Sequence, residues 1–281
     1  MFGRLAVTLA TSLTLLAAPA TATAATTIAT APDTAVNVAH RGASARAPEN
    51  TIPALELAAS HGADVVEFDV QETRDHKLVL MHDTTLARTT NAESVLPGLS
   101  PWRVGDLTLA QIRKLDAGSW FSDEYARTRV PTLDEALRAA DDSGVGVLLE
   151  VKAPELYPGI EQRIVTELRR HPEWVSPQRL VVQSFDWDSM RTFHRLLPSV
   201  PIALLGRPST GQLPEVAKFA DQVNPHYTDL STSYVRRAHD LGLRVLTYTV
   251  DSASAMRRLI DYGVDGIVTN RPDVLRSLID G

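Results

Sequence analysis

The sequence contains no cysteine. Disulfides and thiolate metal sites are excluded at once, and the fold has to be held by its apolar core. Basic charge is also in short supply: 28 Lys and Arg stand against 34 Asp and Glu, a formal net charge of −6. That balance argues against nucleic acid as a partner and gives no cue for anionic membranes. No long apolar run suits a stable membrane anchor. The apolar stretch from Leu5 to Ala18 is short for a membrane span. It follows Met1-Phe2-Gly3-Arg4 and precedes the small-residue run APATATAATT, the pattern of a secretory signal peptide over residues 1–25. Residues 26–35 have no apolar periodicity and read as a flexible lead-in, so the protein is expected to be secreted (extracellular).

The rest of the chain is long enough to bury one large core. Apolar, β-rich runs recur at 36–41, 64–70, 145–151, 180–185, 201–205, 221–225, 244–250 and 265–269. Amphipathic stretches lie between them. Leu133, Ala136, Leu137 and Ala140 have helical spacing behind a capping box at Thr132 and Glu135. Ile160, Ile164, Val165 and Leu168 form a second stripe, and Met256, Leu259 and Ile260 a third. A further run at 77–81 follows 64–70 after only Gln71–His76, too short a link for the crossover that parallel neighbours need. That pair should be an antiparallel hairpin. Eight strands alternating with helices predict an α/β fold, a (β/α)₈ TIM barrel over residues 36–281, with a doubly wound open sheet as the rival.

Residues 83–131 exceed a minimal βα unit and read as an insertion after the second strand. They hold Trp102, Trp120, Phe121 and Tyr125, and one short helical pattern near Leu109 to Leu115. On the strand-end face such an insertion is placed to cover an active site. The plainer reading is a loop with its own small core.

Residues two apart on a strand share a face, so Glu67 and Asp69 point one way and Val66 and Phe68 the other. Two carboxylates side by side in a barrel are costly to desolvate, and a divalent cation with oxygen ligands relieves both burial and repulsion. Pairing with Arg or Lys, or a solvated edge strand, would relieve them too. In LLEVK the next parallel strand supplies Glu150 to the same rim, with Lys152 beside it as a point charge for an anion, unless the two form a plain ion pair. His40 and Arg41 end the first strand, and the hairpin returns His82 towards them. Two imidazoles can act as general acid and base, and Arg41 can grip phosphate oxygens in a fork. Metal, Arg, Lys and two His together describe phosphoryl chemistry.

The sequence resembles the glycerophosphodiester phosphodiesterase family. The resemblance rests on AHRGASARAPENT (39–51), ADVVEFDVQ (63–71), LVLMHD (78–83), LDAGSWF (115–121), VPTLDEAL (130–137), LLEVK (148–152), VVQSF (181–185) and DGIVTNRPD (265–273). It implies a TIM barrel with this insertion and a hydrolase that cleaves deacylated phospholipids to glycerol 3-phosphate and an alcohol. It implies His40 and His82 as the acid/base pair. Glu67, Asp69 and Glu150 would bind Ca²⁺ or Mg²⁺, and Arg41 and Lys152 would hold the phosphate. The implied route has the glycerol 2-hydroxyl attack phosphorus, giving a cyclic phosphate that water opens. Where the family often has Trp-Thr-Val-Asn, this chain has Tyr248-Thr249-Val250-Asp251, which puts the bound alcohol in doubt. His226 is a candidate for the pocket mouth, and His76 occupies a turn position where Gly is more usual. His61, His171, His194 and His239 read as surface.

Three alternatives follow from the same residues. The machinery could act on a lysophospholipid in the manner of a phospholipase D, could cut the other phosphoester bond, or could bind phosphorylated polyols without turnover. A small-molecule glycerophosphodiester or lysophospholipid is the expected partner in either catalytic reading.

Overall fold

Every β-rich run forms a strand in the computed structural model, which describes residues 34–281. The signal-peptide segment and most of the lead-in lie outside the described residues. The strands are β1 (Val36–Ala39), β2 (Val65–Glu72), β3 (Leu78–Leu80), β4 (Gly146–Val151), β5 (Leu180–Ser184), β6 (Ile202–Leu205), β7 (Gln222–Asn224), β8 (Arg244–Thr247) and β9 (Gly266–Thr269). Consecutive strands from β4 to β9 pair in parallel, β2 pairs with β4, and β1 pairs with both β2 and β9. That last double pairing closes the sheet into an eight-stranded barrel with surrounding helices and rules out the open sheet. β3 lies antiparallel on β2, with Val70 opposite Leu80. The five-residue link Thr73–Lys77 permits nothing else.

Alternation along each strand divides the barrel into two environments. Val66, Phe68 and Val70 of β2 and Val147, Leu149 and Val151 of β4 face outward, packed with Leu137, Ile164, Phe193 and Val235 of the helices. Phe68 and Phe193 are fully buried, and each such side chain contributes about 1.5–3 kcal/mol of apolar burial. The helix Leu133–Asp142 starts with the expected capping box: Thr132 accepts from the Glu135 backbone and Glu135 accepts from that of Thr132.

Inside the barrel, Val38, Leu148, Leu246 and Val268 form a separate apolar layer across the middle of the strands. A cavity of about 620 Å³ opens below it, lined by Val36, Val65, Arg179 and Arg244 among others, and none of the predicted site residues faces it. One layer up, the inward positions turn polar. Asp69 pairs in register with Glu150, and Glu150 with Gln183. Gln222 donates to Asn224, which donates to Gln183, so these buried amides satisfy one another.

The insertion departs from the covering role. Leu86, Val104, Leu107, Ile112, Leu115 and Val130 bury a core of their own with Val79 and Met81, and Trp102 packs against it. Trp120, Phe121 and Tyr125 stack edge to face on one another. The Tyr125 hydroxyl donates to the Arg46 carbonyl. The insertion thus braces the loop after β1 and leaves the barrel mouth to other residues. Among the described residues no helix is long and apolar enough to cross a membrane.

Candidate active site

β1 ends at Ala39, and the His40 backbone N–H then donates to Thr269 at the end of β9 (2.8 Å). The chain turns sharply there, because Arg41 and Gly42 both take left-handed backbone angles, φ 55° and 82°. A Cβ on Gly42 would lie 2.5 Å from the Ala54 carbonyl group, so only glycine lets this turn press against the helix Ile52–Ser60. The bend aims the Arg41 backbone N–H at Glu67 (2.8 Å) and its side chain at Glu49 (2.9 Å) and Asp69 (3.3 Å). Asn50 closes the loop by donating to Asp69 (2.8 Å) and accepting from the Asp69 backbone (3.1 Å). The apolar run therefore ends by presenting His40 and Arg41 together because the loop behind them is tied back onto the β2 carboxylates.

The second imidazole arrives from the hairpin. The Met81 N–H donates to the Asp69 carbonyl (3.0 Å), and Gln71 holds the carbonyls of Met81 and Asp83 (both 2.7 Å). His82 Nδ1 lies 2.7 Å from Asp83. Arg88, from the insertion, grips Asp83 with two nitrogens (2.6 and 3.0 Å) and Glu49 with two (2.8 Å each). One guanidinium thus ties the partner of His82 to the partner of Arg41. It also holds the Asp83 carboxyl down at about 2.

Glu67, Asp69 and Glu150 are buried, 1%, 1% and 7% exposed, and each offers an oxygen within 4.8 Å of the others. Burial and the neighbouring charges of Asp69 and Glu150 push the Glu67 carboxyl well above the usual range. Burial and Asp69 likewise raise Glu150 to about 7, against the pull of Lys152. Burial acts on Asp69 too, but Lys152 and Arg41 overcome it and hold the group at about 2. Lys152 Nζ sits 2.7 Å from Glu150 and 3.3 Å from Asp69. Arg41 is shared with Glu49 (2.9 Å), so the two cations do not balance the carboxylates around them, and the all-oxygen cluster fits a divalent cation. His40 is held neutral, near 4, by burial and the adjacent Arg41, against Asn270, Asp69 and Glu49.

A pocket of about 280 Å³ opens on the rim where the strands end. His40, Arg41, Glu67, His82, Glu150 and Lys152 line it, and Asp69 stands behind them in contact with both cations. All seven predicted residues converge. His226 also lines the mouth, as expected, with its ring edge-on to Tyr248. Phe185, 56% exposed and edge-on to Tyr248, completes an aromatic wall that strand periodicity did not identify. Asp251 faces away from the pocket and accepts from Asn270 and Thr269. His171 is not a free surface group: Asp134 holds it (2.9 Å), and Glu167 lies 3.8 Å away. Arg138 and Arg170 pair with those two acids. His239 is exposed at the surface and bonded to Asp265. His76 takes the left-handed turn position, φ 57°, and pairs with Glu72.

A closed parallel barrel whose rim gathers two imidazoles, two fixed cations and three buried carboxylates is built for phosphoryl chemistry. The glycerophosphoryl diester phosphodiesterase family model matches residues 40–274. A glycerophosphodiester phosphodiesterase of Bacillus subtilis is 37% identical over 89% of this chain and 88% of its own length. One from Caldanaerobacter subterraneus is 36% identical over 86% and 96%. An Oleispira antarctica phosphodiesterase, solved in complex with the product sn-glycerol-3-phosphate, superposes with a TM-score of 0.77 at 29% identity, covering 88% of this chain and 98% of that one. The chain belongs to the glycerophosphoryl diester phosphodiesterase family and is a phosphoric diester hydrolase.

Proposed function

We propose that the protein is an exported, divalent-metal-dependent glycerophosphodiester phosphodiesterase that converts deacylated phospholipids to glycerol 3-phosphate and an alcohol. The observation that carries this reading is the convergence of His40 and His82 with Arg41, Lys152 and the Glu67, Asp69, Glu150 cluster on one small pocket. Both imidazoles are held at Nδ1, by Asn270 and by Asp83, so each has Nε2 free for the substrate. His40, neutral and bonded to an amide, accepts the proton of the glycerol 2-hydroxyl as it attacks phosphorus. His82, backed by a carboxylate, donates to the departing alkoxide. Arg41 and Lys152 hold the phosphoryl oxygens, and the roles reverse when water opens the cyclic phosphate. A divalent cation, Ca²⁺ or Mg²⁺, held by Glu67, Asp69 and Glu150 would supply Lewis-acid stabilisation of the developing negative charge.

The aromatics of the insertion pack on its own core and on one another instead of extending the pocket, and we take the small, charge-lined site as one for deacylated substrates. The N-terminal pattern over residues 1–25 supports export. The test is turnover of glycerophosphocholine against lysophosphatidylcholine, each with divalent cation and with chelator. Metal-dependent turnover of the first alone is expected. Preference for the second would overturn the substrate assignment, and full activity in chelator would overturn the metal.

A further inference from the structure

Asp251 is the acid that the proposed chemistry leaves unused, and its contacts are fully specified. Its carboxylate accepts from the Asn270 backbone N–H (2.8 Å), the Thr269 hydroxyl (3.1 Å) and the Asn270 side-chain Nδ2 (2.6 Å). The other end of the Asn270 amide lies 2.6 Å from His40 Nδ1 and 2.7 Å from the Ser44 hydroxyl. A carboxylate can only accept hydrogen bonds. Flipping the Asn270 amide would set its oxygen against Asp251, two acceptors 2.6 Å apart, and forfeit the charge-assisted bond. The amide is therefore fixed with Oδ1 towards the imidazole. Nδ1 of a neutral imidazole must then carry the proton, leaving the lone pair on Nε2.

We propose that Asp251 is a positioning residue: through Asn270 it locks His40 in the Nδ1–H tautomer and so reserves Nε2 as the proton acceptor facing the pocket. The inference rests on the functional reading above only for its catalytic consequence; the tautomer itself is a property of the resting protein. A histidine held by a neutral amide can be driven into either tautomer, because an amide offers a donor at one end and an acceptor at the other. The acid two bonds removed makes the choice. An asparagine at 251 would present both polarities and remove that choice.

The tautomer of His40 can be read from ¹⁵N chemical shifts in long-range ¹H–¹⁵N spectra of the full folded protein, with the signal assigned by its loss in His40→Gln. The wild type is expected to show a protonated Nδ1 and an unprotonated Nε2. In Asp251→Asn the amide at 251 donates to Asn270 Oδ1, Asn270 presents its Nδ2 to the ring, and the Nε2–H form appears. kcat should then fall by roughly 10- to 100-fold, since acid–base catalysis of this kind contributes about 10²–10⁴, with KM little changed. The exchange Asp251→Asn/Asn270→Asp returns an acceptor to Nδ1 and should restore the Nδ1–H form. Nε2–H in the wild type, or pure Nδ1–H in Asp251→Asn, would overturn the proposal. A wild-type protein with the expected tautomer but no phosphodiester hydrolysis would instead refute the functional reading and leave this one standing.

Discussion

The buried carboxylate cluster makes metal-free protein lose stability as pH rises, and Glu150→Gln should remove much of that loss. The Glu150 carboxyl sits at about 7 in the folded protein against an ordinary 4.5. An acid with a raised folded value binds more protons folded than unfolded, so its penalty is absent below 4.5, grows between 4.5 and 7, and is constant above. That gap corresponds to about 3 kcal/mol, an upper figure because Glu67 and Asp69 share the same charge. For a domain of this size it amounts to about 6–12 °C in Tm. The neutral, near-isosteric glutamine keeps an oxygen for Lys152 and carries no such penalty. Groups that lose stability on the acid side and do not interact with Glu150, including Asp83 at about 2 and His40 near 4, are common to both proteins and cancel in the difference. Calorimetric Tm should be compared for wild type and Glu150→Gln from pH 4 to 9 in chelator. The difference should open with rising pH, and Ca²⁺ or Mg²⁺ should close it by stabilising only the wild type, since a ligand that binds the native state alone stabilises it. Parallel Tm curves in chelator would refute the argument.

Further outcomes are expected for single substitutions. His40→Ala and His82→Ala should each lower kcat by about 10²–10⁴ while keeping the wild-type circular dichroism and urea midpoint. Gly42→Ala, with φ 82° and a Cβ 2.5 Å from the Ala54 carbonyl group, should lose about 2–4 kcal/mol in urea unfolding. Arg88→Ala frees Asp83 and Glu49 together, and steady-state kinetics should show kcat falling while the global stability, for a side chain 44% exposed, changes little. Tyr248→Ala should raise KM by about fivefold, the effect of roughly 1 kcal/mol of lost apolar contact. Trp120→Ala should leave KM unchanged because that ring lies outside the pocket.

The strands were legible because parallel barrel strands are buried on both sides and read as near-continuous apolar runs. β2 also gave up its carboxylates, since strand periodicity places Glu67 and Asp69 on the face opposite Phe68. Periodicity ends where the strand ends, and past the residues directly after a strand, such as His40 and Lys152, legibility failed. β8 stops at Thr247, so nothing in the pattern says that Asp251 turns towards Asn270 while Tyr248 lines the pocket. Arg88 and Asn50 reach the site through loops whose path depends on left-handed residues such as Arg41 and Asn50 itself. The aromatics of the insertion could be counted in the sequence but not aimed. Whether Trp102 packs beneath the insertion or over the barrel depends on Leu86, Ile112 and Leu115 building a core first. His171 reads as surface from its place after a helix, and only the packing of neighbouring helices brings Asp134 to it.

The central claim is that this rim hydrolyses a glycerophosphodiester with the help of a divalent cation. Phosphorus NMR of the purified protein with glycerophosphoethanolamine, with Ca²⁺ or Mg²⁺ and again with chelator, tests it most directly. A glycerol 3-phosphate signal that grows with metal and is absent in chelator is the predicted result. Ethanolamine phosphate as the product, or no metal-dependent product at all, would contradict it.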